Sequence, residues 1–223
     1  MLREIFDKLD RKCDKFEHYF PLYEQWLSRF VGASPKILEI GVQFGGSAEM
    51  WHRYFGEGTV VHGVDIYPRC EETEYLKLYR GDQGSDEFWD TSFSEKDQFD
   101  IVMDDGSHEN AHQITTLAKT YPLLKDGGIY WCEDVHTSYY HNVRVQDGGY
   151  LNPYSFMEYA KRITDVLNWH HTHFAIGVGM TPKGPHVDPR LVQIYNNIRG
   201  VHFYDSVVVI EKGPRMPFER IIK

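Results

Sequence analysis

From Lys36 onward, short apolar runs alternate with polar stretches of helical period, and this rhythm constrains the fold more than any other feature of the sequence. Ile37-Leu38-Glu39-Ile40 runs into the glycine-rich turn Gly41-Val42-Gln43-Phe44-Gly45-Gly46. Ser47 follows as an N-cap or first-turn residue of a helix through Tyr54. Further strands are expected at Thr59–Asp65, in a short run before Asp82, at Phe99–Asp104 and at Gly128–Glu133. A helix from Asn110 to Leu124 is expected between the last two, stopped by Asp126-Gly127-Gly128. Strands alternating with helices predict a parallel sheet covered on both faces. Val201–Tyr204 and Val207–Ile210 lie too close together for a crossover helix, so they must run antiparallel. The expected class is therefore α/β: a Rossmann-like, doubly wound sheet, mostly parallel with a C-terminal antiparallel strand, in three α/β/α layers.

The 223 residues, 41% hydrophobic and 26% charged, suit one domain with a single substantial core. Within 1–223 four parts are expected: an N-terminal helical cap at 1–30, a cofactor- and metal-binding core at 36–139, an acceptor lid, helix and loop at 140–200, and a terminal β-hairpin at 201–212. In the cap, Leu2, Ile5, Phe6 and Leu9 share a helical face that Leu22, Trp26, Leu27 and Phe30 continue, and Pro21 separates or opens the second helix. In the third part, Asn152-Pro153 is expected to start a helix through about Trp169, with a loop at Gly177–Pro189 and Gly148-Gly149 as a hinge for the lid. The formal charge of -9, with no Lys/Arg stripe, argues against nucleic acid as a partner. Cys13, Cys70 and Cys132 lack metal spacing and read as free thiols of a reducing compartment. The amino terminus lacks a signal-peptide core and no apolar run spans a bilayer, so a cytoplasmic protein without a membrane partner is expected.

Ligands of open α/β sheets bind beyond the carboxyl ends of the strands. Glu39 and Gly41 close the first strand, and the spacing Gly41-x-x-x-Gly45-Gly46 differs from the G-x-G-x-x-G of dinucleotide sites. Asp65 lies 24 residues after Gly41, where an acidic residue takes ribose hydroxyls, and Asp82-Gln83 suits an adenine edge. A carboxylate at Glu39 would repel a pyrophosphate but suits the ammonium and sulfonium of S-adenosylmethionine. With Ser47, Gly45 and Asp104, these residues form the candidate cofactor set.

Met103-Asp104-Asp105-Gly106-Ser107-His108 and Cys132-Glu133-Asp134-Val135-His136-Thr137-Ser138-Tyr139 each follow an expected strand and should meet at one sheet edge. Asp105, Glu133 and Asp134 would offer three hard oxygen ligands, a set suited to Mg²⁺, with Mn²⁺ as an alternative. Without a cation, three adjacent carboxylates must repel or take up protons. His108 is a candidate general base. Between a free imidazole and an alcohol the pKa gap is worth about 12 kcal/mol, so a base without a metal is insufficient. His112 reads as packing or cofactor contact, His170, His171 and His173 as a solvated helix end, and an iron triad of His108, His136 and a carboxylate stays open.

These segments resemble the metal-dependent, class I S-adenosylmethionine sugar O-methyltransferases of macrolide and polysaccharide biosynthesis. The resemblance extends to Asp14–Glu24, Leu38–Val42, Gly81–Gln83 and Val208–Gly213. It implies Asp105, Glu133 and Asp134 as metal ligands, His108 as base, and Glu24 as an acidic residue orienting it. It also implies Glu39, Gly41, Asp65, Asp82 and Gln83 around the cofactor, with Tyr19 and Tyr23 covering it from the N-terminal helix. The implied reaction is methyl transfer to a hydroxyl of a sugar or other small-molecule or oligosaccharide acceptor. Relative to the macrolide enzymes of that group, a protein without their additional N-terminal domain and with a shorter glycine loop is expected, which leaves acceptor size and a homo-oligomer open. The aromatic residues of the lid, Tyr139, Tyr140, Tyr150 and Tyr154, suit a sugar or an aromatic ring equally. A catechol-type acceptor, an iron-dependent oxygenase like the cephalosporin hydroxylases, and a non-catalytic cofactor-binding module remain as alternatives.

Overall fold

The structure is a computed structural model that describes residues 1–93, 95, 98–141, 148–168, 197–214 and 220–222. Its strands are β1 (Lys36–Ile40), β2 (Val60–Asp65), β3 (Leu76–Arg80), β4 (Phe99–Asp104), β5 (Leu124–Glu133), β6 (Ile198–Tyr204) and β7 (Val207–Lys212). They form one sheet in the order β3-β2-β1-β4-β5-β7-β6. The first five pair in parallel, and β7 runs antiparallel to both β5 and β6. Chain order reverses between β1 and β4, which puts the ligand-binding crevice at their carboxyl ends.

The helices are α1 (Leu2–Phe6), α2 (Tyr19–Leu27), α3 (Gly46–Phe55), α4 (Asp86–Ser92), α5 (Asn110–Thr120) and α6 (Phe156–Asn168). Two apolar clusters show the layering. Ile37, Ile101, Met103, Ile129 and Trp131 pack under α1, α2 and α3. Leu38, Ile40, Val102, Tyr130 and Cys132 pack under α4, α5 and α6. Each strand thus alternates its residues between two buried faces, as a period of two requires. The doubly wound three-layer architecture expected from the sequence is the one observed.

Several boundaries differ from expectation, each for a local reason. The helix from Asn110 ends at Thr120 because Pro122 has no amide to donate and tightens the next turn, Tyr121–Leu123, into a 3₁₀ helix. β5 then begins at Leu124 and carries Gly127 and Gly128 inside the strand. The helix expected from Asn152 starts at Phe156, since Ser155 accepts from the Glu158 amide (3.2 Å) and Asn152 closes a turn onto the Tyr154 amide (3.0 Å). Between α1 and α2, residues 7–18 form an irregular strap. The helix end expected at Trp169, His170, His171 and His173, and the loop expected at Gly177–Pro189, lie outside the described residues. Among the described residues, no helix is long and apolar enough to cross a membrane.

Candidate active site

At Gly41 the chain leaves β1 with φ 91°, and a Cβ there would lie 1.9 Å from the Asp105 carbonyl oxygen, so only glycine lets the two strand ends approach. The strap crosses this turn. The amides of Asp10 and Arg11 donate to the Glu49 carboxylate (3.1 and 3.0 Å), and Arg53 donates to the Lys8 carbonyl and to Asp10 (both 2.6 Å). Between strap and turn lies a cavity of about 370 Å³, walled by Lys12–Phe16, Gly41–Phe44 and Ser47, with Asp105, His108, Glu133 and Asp134 at one end. A second cavity of about 470 Å³ shares Gly41 and Gln43 with it and reaches Asp65, Tyr67, Asp82, Gln83 and His112.

The acidic end follows from strand register. Asp104 pairs with Cys132 across β4 and β5, so the residues that follow, Asp105 and Glu133, also lie side by side on the α1–α3 face. Lys15 descends from the strap with its side chain only 2% exposed, and its ammonium donates to Asp105 Oδ2 and Glu133 Oε1. Glu133 Oε2 accepts from the Tyr23 hydroxyl and from Trp131 Nε1 (3.2 Å). Burial, followed by the neighbouring charge of Glu133, pushes the Asp105 carboxyl well above the usual range despite Lys15. Burial also acts to raise Glu133, but Lys15 and hydrogen bonds from Asp105, Lys15 and Tyr23 outweigh it and hold that carboxyl below its ordinary value.

Asp134 and His108 both adopt left-handed backbone, φ 58° and 59°, a conformation that costs a non-glycine residue about 1 kcal/mol or more. The Thr137 hydroxyl stands where it can donate to the His108 carbonyl (2.8 Å) and to that of Asp134 (2.9 Å), joining the two loops. Tyr19 donates to Asp134 Oδ1 at 2.6 Å. As a result Asp105, His108 and Asp134 each offer one ligand atom within 4.8 Å of one another. His108 Nε2 lies 3.5 Å from Asp134 Oδ2 and 3.9 Å from Asp105 Oδ1, while its Nδ1 is buried without a partner. The carboxylate oxygens of Asp105 and Asp134 suit a hard divalent cation, and His108 Nε2 stands beside them. His136, the second imidazole of an iron triad, is instead engaged through Nδ1 with Ser206 Oγ.

The other candidate residues divide between the cavity walls, which Tyr19, Asp65, Asp82 and Gln83 line, and the packing around them. Glu39 is fully buried on the α1–α3 face beside Trp51 Nε1 (3.3 Å), lines neither cavity and has Oε2 unpartnered. Burial pushes its carboxyl up to about 7, offset only in part by Lys15 and by hydrogen bonds from Ser47 and Trp51. Asp104 falls on the opposite face, where Gln83 (3.1 Å) and Tyr130 (3.2 Å) donate to it. Gln83 also accepts from the Ser107 amide at 2.6 Å, so its amide group ties loops together. Asp65 accepts from the Gln43 and Tyr67 amides (2.9 and 2.8 Å), and Asp82 accepts from the Gly84 amide (2.8 Å). Gly45, at φ 76°, caps α3 and lies outside both cavity walls. Tyr19 and Tyr23 are buried and hold the acidic residues. Glu24 faces the amino terminus, accepting from the Leu2 amide at 2.7 Å. Sequence reasoning passed over Lys15. The signal was available, since three adjacent carboxylates require positive charge and Lys15 lies in the segment that precedes α2.

Comparison with known proteins supports this picture. No family model matches the chain. It is 32% identical over 211 residues to the mycinamicin VI 2″-O-methyltransferase of Micromonospora griseorubida, covering 89% of this chain and 49% of that protein. It is 31% identical to an 8-demethyl-8-(2-methoxy-alpha-L-rhamnosyl)-tetracenomycin-C 3′-O-methyltransferase of Streptomyces olivaceus, covering 88% and 50%. The chain thus spans about half the length of the curated relatives it matches. Among solved structures, the MycE methyltransferase from the mycinamycin pathway, in complex with Mg and SAH, superposes with TM-score 0.76 at 28% identity, over 96% of this chain and 54% of that one. The same enzyme with Mg, SAH and mycinamycin VI gives 0.75 at 27% identity, over 96% and 53%.

Proposed function

We propose, from the premise that this chain belongs to the family of sugar O-methyltransferases, that it transfers a methyl group from S-adenosylmethionine to a hydroxyl of a sugar or glycosylated small molecule, with Mg²⁺ or Mn²⁺ bound at Asp105, Glu133 and Asp134. The observation that carries the reading is the convergence of Asp105, His108 and Asp134 within 4.8 Å at the end of the cavity that crosses the glycine turn. The two cavities meeting at Gly41 and Gln43 suit the two ends of one cofactor. Asp65 and Asp82 line the nucleoside side, and Ser47, with the strap, lines the amino-acid side.

A divalent cation held by these carboxylates supplies Lewis acidity that makes an acceptor hydroxyl easier to deprotonate. The chain's own part is positional. Asp105 and Asp134 flank His108 Nε2, which is placed to take the proton of an acceptor hydroxyl, and S-adenosylmethionine, when bound, would supply the methyl group and leave as its thioether. The two carboxylates then stabilise the resulting imidazolium. Phe16, half-exposed on the cavity wall, offers an apolar face to a ring, and His136 packs between it and Tyr140. The reading extends to a cytoplasmic enzyme acting on a small molecule, with 36–139 as its cofactor- and metal-binding core and 140–200 as its acceptor region.

The test is incubation with labelled S-adenosylmethionine and Mg²⁺ against sugar and catechol acceptors, with EDTA controls. Methylation of sugars that EDTA abolishes is expected. Full turnover in EDTA would refute the metal-assisted half, and Fe(II)- and O₂-dependent hydroxylation would refute the whole. Asp105→Ala should remove metal-stimulated turnover by at least ~100-fold while cofactor affinity changes little.

A further inference from the structure

Lys15 occupies an unusual position for a lysine. It is almost fully buried, and its partners are two of the three carboxylates proposed to hold the cation. Counting the acceptors shows the consequence. Glu133 Oε1 faces Lys15, and Glu133 Oε2 already receives Tyr23 and Trp131. Asp105 Oδ2 also faces Lys15 and Asp105 Oδ1 looks toward His108, with Asp134 Oδ2 near by. A cation entering beside His108 therefore finds Asp105 Oδ1 and Asp134 Oδ2 away from Lys15, whereas Glu133 Oε1 is already paired with the ammonium and Oε2 receives Tyr23 and Trp131. A divalent cation joining all three carboxylates would stand against the ammonium that two of them already hold, and the two positive charges repel.

The fold permits the ammonium to depart. Lys15 projects from the strap rather than from a helix or strand. The strap is held at Asp10 and Arg11 on one side and continues into α2 at Tyr19 on the other. The ammonium can withdraw without breaking an element of the sheet or its helices. We infer, on the strength of the metal-dependent reading above, that Lys15 is an internal counter-ion that competes with the divalent cation for Glu133 and Asp105, and so sets the metal affinity of the site and couples metal binding to release of the strap. A permanent ion pair would instead keep Lys15 in place and leave the metal with two carboxylates.

The experiment titrates Mg²⁺ alone into the intact protein and into Lys15→Met, which keeps the apolar stem and removes the charge, by isothermal titration calorimetry. Backbone hydrogen exchange of residues 12–16 is followed in parallel. Lys15→Met should bind Mg²⁺ at least ~10-fold more tightly, and in the unmodified protein saturating Mg²⁺ should speed exchange of the strap amides. Equal or weaker binding by Lys15→Met overturns the inference, because it makes Lys15 a positioning residue for the two carboxylates. Tighter binding with an unchanged strap also overturns it, leaving Lys15 to act through its charge without moving. Should the variant fail to fold, the strap response of the unmodified protein decides alone. If neither chain binds Mg²⁺ or Mn²⁺, the metal-dependent reading falls and takes this inference with it. If both bind equally, only the inference falls.

Discussion

Glu39 shows how one backbone register determines what a carboxylate can do. Strand alternation turns it toward α3, where burial raises its carboxyl to about 7 and Oε2 has no partner. A carboxyl raised in the folded state adds stability that is complete below its unfolded value of about 4.5 and is lost as pH rises through about 7, a change of about 3 kcal/mol. Glu39→Gln should flatten that part of the Tm-against-pH curve between pH 5 and 7.5, and an unchanged slope would contradict the assignment. A cationic cofactor near Glu39 should also expel its proton, so cofactor binding at pH 6 should release protons, as calorimetry in buffers of different ionisation enthalpy would report. Gly41→Ala brings a Cβ to 1.9 Å from Asp105 O at φ 91° and should lower stability by about 2 kcal/mol or more, measured by urea unfolding. The same alternation explains what could be read from the sequence at this scale. In Asp104-Asp105 and Glu133-Asp134 the acidic types were visible at once, yet only register sends Asp105 and Glu133 to one face and Asp104 to the other. Lys15 was less legible because it approaches from a segment without periodicity.

At the level of elements, the loops after β4 and β5 are held to the helices by few groups. The Asn110 side-chain oxygen at the start of α5 accepts from the Ser138 hydroxyl (3.0 Å) and from the Phe156 amide (2.8 Å), and Ser138 in turn accepts from the Met157 amide (3.1 Å). Three segments far apart in the chain therefore share one buried knot. Asn110→Ala leaves two buried donors without a partner and should destabilise the protein by about 2 kcal/mol, read from chemical denaturation. Because the knot also fixes the 3₁₀ helix Val135–Tyr139, the variant should lose metal affinity as well, although it touches no candidate ligand. Such knots leave little trace in one sequence, since Asn, Ser and Thr near Gly-rich stretches read equally well as turn residues. Strands were more legible, because apolar runs bounded by Gly and Asp carry their own ends. Helices were legible where they packed a broad apolar face, as α5 and α6 do. The seven-residue α4, capped by Ser85 accepting from the Phe88 amide (3.2 Å), has too few turns to display a period.

Across the whole molecule, two buried layers converge on a crevice in which carboxylates are held close together, so the fold stores electrostatic repulsion where it would bind a cation. Burial first, and the neighbouring charge of Glu133 second, raise the Asp105 carboxyl well above the usual range while Lys15 holds Glu133 low. A ligand that relieves the repulsion binds the folded chain in preference to the unfolded one, where the same residues are scattered, and must therefore stabilise it. Mg²⁺ at 100 times its dissociation constant should add about 2.7 kcal/mol, which for a chain of this size raises Tm by roughly 5–10 °C. Asp105→Asn imitates the protonated carboxyl and removes one of the repelling charges. It should leave the metal-free Tm equal to or above that of the unmodified protein while cancelling the gain from Mg²⁺. Asp134→Asn, whose carboxylate lies beside His108 and outside the Asp105–Lys15–Glu133 group, should reduce the gain without raising the metal-free Tm. Scanning calorimetry with and without Mg²⁺ separates these cases. A variant at Asp105 that loses stability in the metal-free state would mean that its carboxylate supports the fold through Lys15 more than it opposes it through Glu133, and the acidic cluster would then be a structural ion pair rather than a site kept under charge strain for binding.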